Sequence, residues 1–111
     1  MDIVRELLKE REERLKIFKN YREYVKIIRK IARELLGDVK VYVFGSVVRG
    51  DYHPILSDID VAVVTSCQDR RKHLKLKAEV ARLFGDIFEI HVLNENEWKF
   101  YKRFIDKFVE I

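Results

Sequence analysis

The chain is poor in the residues that staple or bend a small protein: its 111 positions include one cysteine, one proline and four glycines. A single Cys67 excludes an internal disulfide and a thiolate metal cluster, and no nucleophile pattern surrounds it. His53 and His73, in a loop and on a charged helix, have no partner at ligand spacing, which argues against zinc. No apolar run approaches the roughly 18 residues needed to cross a bilayer. The opening MDIVRELLKEREE is charged from its second residue, unlike a secretory leader. The expectation is a cytoplasmic protein with no membrane partner. Uncharged polar side chains are also scarce. There is one Gln and one Met, while 38% of residues are charged. Proteins of hyperthermophiles favour that usage, so a thermophilic source is expected.

What is present bounds the class. The length suits one small domain, residues 1–111, with a modest core. A net charge of +4 and a pI near 9.2 favour anionic partners such as nucleotides, nucleic acid or an acidic protein. Residues 2–36 hold neither Gly nor Pro. Leu15, Phe18, Tyr21, Val25, Ile28, Ala32 and Leu35 recur at intervals of three and four, which predicts one long amphipathic helix stopped by Gly37. The run KEREER at 9–14 reads as a solvated helical stretch with i, i+4 pairs. The other reading is an arm presenting Ile3, Leu7 and Leu8 to a partner.

Val39 to Phe44 is β-branched and aromatic, hence a strand, followed by a helical turn over 46–50 and a loop from Asp51 to Ser57. Ile59 to Val64 is a second strand. Arg70 to Phe84 is helical, with Leu74, Ala78, Ala81 and Leu83 as its apolar marks. Ile87 to Leu93 is a third strand. A last helix begins at Asn94 to Glu97 and runs through Trp98, Tyr101, Phe104, Ile105 and Phe108. The order predicts an α/β (α+β) domain: a three-stranded sheet with helices on one face and the other face open for a shallow site.

Asp58 and Asp60 are two apart at the mouth of the second strand, so they share a face. Two carboxylates that close repel unless a cation lies between them. A hard divalent ion such as Mg²⁺, which takes one or two carboxylates plus substrate phosphates, answers that need. The plainer reading is a strand end dipping into water. Gly45 permits close backbone approach. Ser46 offers a hydroxyl, the amides after it open a helical turn that favours phosphate, and Arg49 lies one turn on. Alone, Gly-Ser is an ordinary strand-ending turn. Glu89, mid-strand in DIFEIHVL, is the candidate third carboxylate; otherwise it guards a sheet edge. Asp86 is a weaker candidate. A third carboxylate would complete a two-metal arrangement that activates a hydroxyl and neutralises a leaving pyrophosphate. His91 shares a face with Glu89, where it can hydrogen-bond the site or, on the plainer reading, sit inert. The basic run RRKHLKLK lacks interleaved aromatics, so it reads as a solvated helix face rather than a nucleic-acid surface.

These residues carry a resemblance. Val43-Phe44-Gly45-Ser46, eleven further residues and then Asp58-Ile59-Asp60 resemble the pattern of the DNA polymerase beta nucleotidyltransferase superfamily. The longer string FGSVVRGDYHPILSDIDVAVV is similar to its minimal nucleotidyltransferases, and only the first fourteen residues lack a counterpart. The resemblance implies a small mixed sheet backed by helices. It implies that Gly45 and Ser46 bind the triphosphate of ATP or another NTP, and that Asp58, Asp60 and Glu89 hold Mg²⁺, as two ions. The spacer is slightly longer than usual, and the third acid is Glu where Asp is commoner. Larger members append a second domain that grips base and acceptor. A chain ending at Ile111 would lack it, leaving poor selectivity or a partner that completes the site. Minimal members are often encoded beside a HEPN-domain protein and act as the antitoxin, adding AMP to that toxin. The other function class is a nucleotidyltransferase-fold module that neutralises a partner by contact alone, through the N-terminal arm and the aromatic last helix. The sequence is silent on whether the chain is also a homo-oligomer.

Overall fold

The computed structural model describes residues 2–111, and the long N-terminal stretch folds as two helices rather than one. Helix α1 spans Ile3–Lys19 and α2 spans Tyr21–Leu36. Asp2 caps α1 by accepting from the Arg5 amide. The break falls at Asn20, whose backbone leaves the helical region at φ −117° and ψ 27°. Its side-chain amide donates to the Lys16 carbonyl at 2.8 Å, and its own carbonyl accepts from the Glu23 amide at 3.1 Å. Asparagine competes with a helix for backbone groups, and here one residue ends α1 and begins α2. The apolar repeat continues across the break, so periodicity alone does not register it.

The chain continues as β1 (Val39–Phe44), α3 (Ser46–Arg49), β2 (Ile59–Thr65), α4 (Arg70–Phe84), β3 (Phe88–Leu93), α5 (Glu95–Lys102) and β4 (Phe108–Glu110). The sheet has four strands in the order β3-β2-β1-β4. β2 and β3 run parallel, and β1 is antiparallel to both β2 and β4. The α+β class and the mixed sheet are as expected, with one strand more than the three read from the sequence. Phe108, expected in the last helix, opens β4 instead. Three residues carry no period of their own; the strand exists because the edge of β1 offers it backbone partners, as when the Ile111 amide donates to the Val41 carbonyl at 2.9 Å.

One face of the sheet buries Val41, Val43, Ile59, Val61, Val63 and Ile90 against Val25, Ile28 and Ala32 of α2 and Leu76 and Val80 of α4. The apolar marks assigned to α4 need correction. Leu74 is 66% exposed and Leu83 43%, whereas Leu76 and Val80 are buried. The helix offers two candidate stripes, and the sheet selects the one that meets it. The opposite face is half covered rather than open. A capping box of Asn94 and Glu97 starts α5 and delivers Trp98 onto Ala62, Val64 and Leu93. Among the described residues no helix is long and apolar enough to cross a membrane.

Candidate active site

Strand alternation sends Ile59 and Val61 into the core and turns Asp60 to the α5 face. In register, Asp60 lies opposite Phe44 on β1 and opposite Glu89 on β3. Its carboxylate, that of Glu89 and the His91 ring each present an atom within 4.8 Å of the others. His91 Nε2 lies 3.2 Å from Asp60 Oδ1 and 3.9 Å from Glu89 Oε1. A carboxylate only accepts, so Nε2 carries the hydrogen and donates it to Asp60. The ring is held edge-on to Tyr101 and tilted beside Phe44, with centroids 5.8 and 5.4 Å away. His91, inert on the plainer reading of the sequence, is thus part of the cluster. The carboxylates of Asp60 and Glu89 offer oxygen donors that suit a divalent cation, while His91, donating through Nε2, orients Asp60.

Gly45 serves Asp60 directly. Its backbone lies at φ 86° and ψ −156°, and a Cβ there would stand 2.5 Å from Asp60 Oδ2. The close approach expected at Gly45 is made by the chain's own carboxylate. Ser46 begins α3, with the Gly45 carbonyl accepting from the Val48 and Arg49 amides. The opening amides of a helix have no partner within it. Arg49 is exposed, and its Nε lies 3.3 Å from both carboxylate oxygens of Asp51, so its nearest anion is local.

Asp58 stands apart from the cluster. Its half-exposed side chain lies 3.9 Å from Arg14 Nη2. The repulsion expected between the two aspartates is therefore divided: Asp60 faces the imidazole of His91, and Asp58 faces a guanidinium. Arg14 belongs to the KEREER run that reads as solvated, yet it is buried. Its Nε donates to the Pro54 carbonyl at 2.8 Å and its Nη2 to the Ser57 carbonyl at 2.7 Å. Asp86 approaches the same guanidinium at 3.4 Å. One signal for Arg14 was present: it lies four residues before Phe18, on the stripe that continues into the core. On the α5 face, Tyr42 stacks on Trp98 at 4.5 Å. Burial, and then the charge of Glu110, push its phenol above the ordinary value.

Two depressions flank the sheet. The larger, about 810 Å³, lies at the far ends of the strands, between Arg33, Lys40, Thr65 and Asn94. The smaller, about 460 Å³, borders β3 and is lined by Glu89, His91 and Tyr101, so only this one touches the cluster.

The family model for the nucleotidyltransferase domain matches residues 25–111 of this chain. The chain belongs to that family. The match to the nucleotidyltransferase domain begins inside α2, so α1 lies outside it. Among solved structures, one protein described as a nucleotidyltransferase is 40% identical, with a TM-score of 0.65 over 79% of this chain and 97% of its own. Another, from Sulfolobus solfataricus, is 25% identical, with a TM-score of 0.53 over 89% and 82%. A complex of tri-AMPylated Shewanella oneidensis HEPN toxin with MNT antitoxin aligns at 24% identity and a TM-score of 0.44 over 61% and 51%, a partial likeness that carries no functional weight. No curated protein matches the nucleotidyltransferase domain or the rest of the chain.

Proposed function

We propose that the chain transfers a nucleoside monophosphate, AMP from ATP, to a hydroxyl group in a Mg²⁺-dependent reaction that forms an ester at the α-phosphorus, breaks the α–β anhydride and releases pyrophosphate. The observation that carries this reading is the convergence of Asp60, Glu89 and His91 beside Gly45, in a domain of the nucleotidyltransferase family. Asp58, Asp60 and Glu89 are the residues that would hold Mg²⁺, as two ions. Bound there, the metal would offset the charge of the triphosphate and acidify the attacking hydroxyl.

The chain's own contribution is orientation. His91 Nε2–H holds Asp60 Oδ1, while Gly45 leaves room for Oδ2, so the carboxylate is aimed before any ligand arrives. The side chain of Glu89 is 58% exposed at the edge of the smaller depression, where a substrate can reach it. Ser46 and the first amides of α3 take phosphate oxygens, and Arg49 would have to leave Asp51 to add its charge. The acceptor in this reading is a tyrosine or other hydroxyl on a HEPN-domain partner, with the chain as antitoxin. The likeness of FGSVVRGDYHPILSDIDVAVV to minimal nucleotidyltransferases supports it. Incubation with labelled ATP, Mg²⁺ and the product of the adjacent gene tests the proposal. Label should pass to the partner with wild type and be lost with Asp60→Ala and Glu89→Gln. No transfer by wild type, or undiminished transfer by Asp60→Ala, would refute it.

A second reading, neutralisation by contact alone, draws on the first two turns of α1. Ile3, Val4, Leu7 and Leu8 are each more than half exposed there, at 68, 66, 57 and 55%. Neutralisation of the partner that survives Asp58→Ala would favour it.

A further inference from the structure

We propose that Arg14 is a positioning residue through which α1, a helix outside the part of the chain matched by the family, ties down the 51–57 loop and sets the direction of Asp58. The proposal rests on the reading of Asp58 as a metal ligand.

Burying a guanidinium is unfavourable unless its donors are met. Here they are met by the loop and its surroundings. Nε and Nη2 reach the carbonyls of Pro54 and Ser57, Nη1 reaches Asp86, and Asp58 lies just beyond hydrogen-bond range. The planar fork of arginine spans two acceptors in fixed relation, which a lysine cannot do. A second tie lies one helical turn along α1, where the Phe18 ring stacks on Tyr52 with centroids 4.5 Å apart and planes 7° off parallel.

The loop between these ties is already a unit. His53 Nδ1 accepts from the Ile55 and Leu56 amides at 3.2 Å each. Ser57 Oγ accepts from the His53 amide at 2.7 Å, and the Ser57 amide donates to the His53 carbonyl at 2.9 Å. Fixing such a unit at Tyr52, Pro54 and Ser57 fixes the residue that follows, which is Asp58. Arg14 also places a positive charge near a ligand meant for a cation. That charge is offset by Asp86 on the same guanidinium, and the half-exposed Asp58 is screened by water. Losing the fork therefore costs the site more in position than it gains in attraction.

The experiment uses the full chain with Arg14→Met and Arg14→Lys, and Arg11→Met as an exposed control on the same helix. Amide exchange over 53–57 is followed in EDTA, and Mn²⁺ binding without nucleotide is followed by electron paramagnetic resonance. Both Arg14 variants should exchange at those amides about tenfold faster than wild type, the scale of one lost charge-assisted hydrogen bond, and bind Mn²⁺ several-fold more weakly. Arg11→Met should change neither. Arg14→Lys keeps charge and most of the volume, so it reports even where Arg14→Met fails to fold. Loop exchange and Mn²⁺ affinity that both stay at wild-type level in Arg14→Lys would overturn the proposal. Asp60→Ala separates the two failures: wild-type Mn²⁺ binding there sinks the metal reading, and exchange alone then decides whether Arg14 holds the loop.

Discussion

Replacing Gly45 with alanine imposes two separable costs. The first is conformational. A φ of 86° with ψ of −156° is a region that residues with a Cβ occupy only under strain of about 1–3 kcal/mol. The second is contact, because the new methyl would stand 2.5 Å from Asp60 Oδ2. The carboxylate must move by about 1 Å to reach ordinary separation, and its hydrogen bond from His91 then weakens, at roughly 1–2 kcal/mol for a partly solvated charged acceptor. Gly37 supplies the control. It has nearly the same backbone, φ 85° and ψ −144°, but nothing lies within 4 Å of its missing Cβ. Gly37→Ala therefore measures strain alone. At about 2.1 cal/mol/K per residue, a chain of this length loses about 4 °C of melting temperature per kcal/mol. Gly45→Ala should accordingly melt about 4–9 °C below Gly37→Ala in EDTA. In an Asp60→Ala background the difference should vanish, since the contact is gone and only strain remains. Equal melting of the two alanine variants, or a difference that persists without Asp60, would refute the reasoning.

Two further outcomes follow from the geometry. Asp60→Asn should leave metal-free stability within about 0.5 kcal/mol of wild type, because the amide oxygen can still accept from His91 Nε2. A larger loss by urea denaturation in EDTA would mean that the carboxylate charge itself holds the fold. Leu76→Ala should cost about 2–5 kcal/mol as a buried truncation, while Leu74→Ala, on the exposed side of α4, should stay within about 0.5 kcal/mol. The reverse order in denaturant midpoints would put the other stripe of α4 against the sheet.

By itself the sequence determined the elements whose signals are local. Val39–Phe44 and Ile59 to Val64 are read from β-branched runs, the second strand in fact reaching Thr65, and the span of α4 is read from helical spacing and the stop at Gly85, although not from the stripe that packs. The alternation rule placed Asp60 on the face away from Val61 and Val63, and it put Glu89 and His91 on one face of the third strand. Tertiary structure decided everything that depends on which element meets which. Only pairing of β2 with β3 sets Asp60 opposite Glu89, and only the cluster gives His91 a partner. β4 exists because β1 has a free edge, and α5 closes half of the face expected to be open because Trp98 finds Ala62 and Val64 there. Arg14 shows the division most plainly. In sequence it is one charge among six, set apart from Arg11 only by its place four residues before Phe18. Its burial depends on carbonyls of the loop at 54–57, 40 and 43 residues further along the chain, which become its neighbours only when α1 folds back over them.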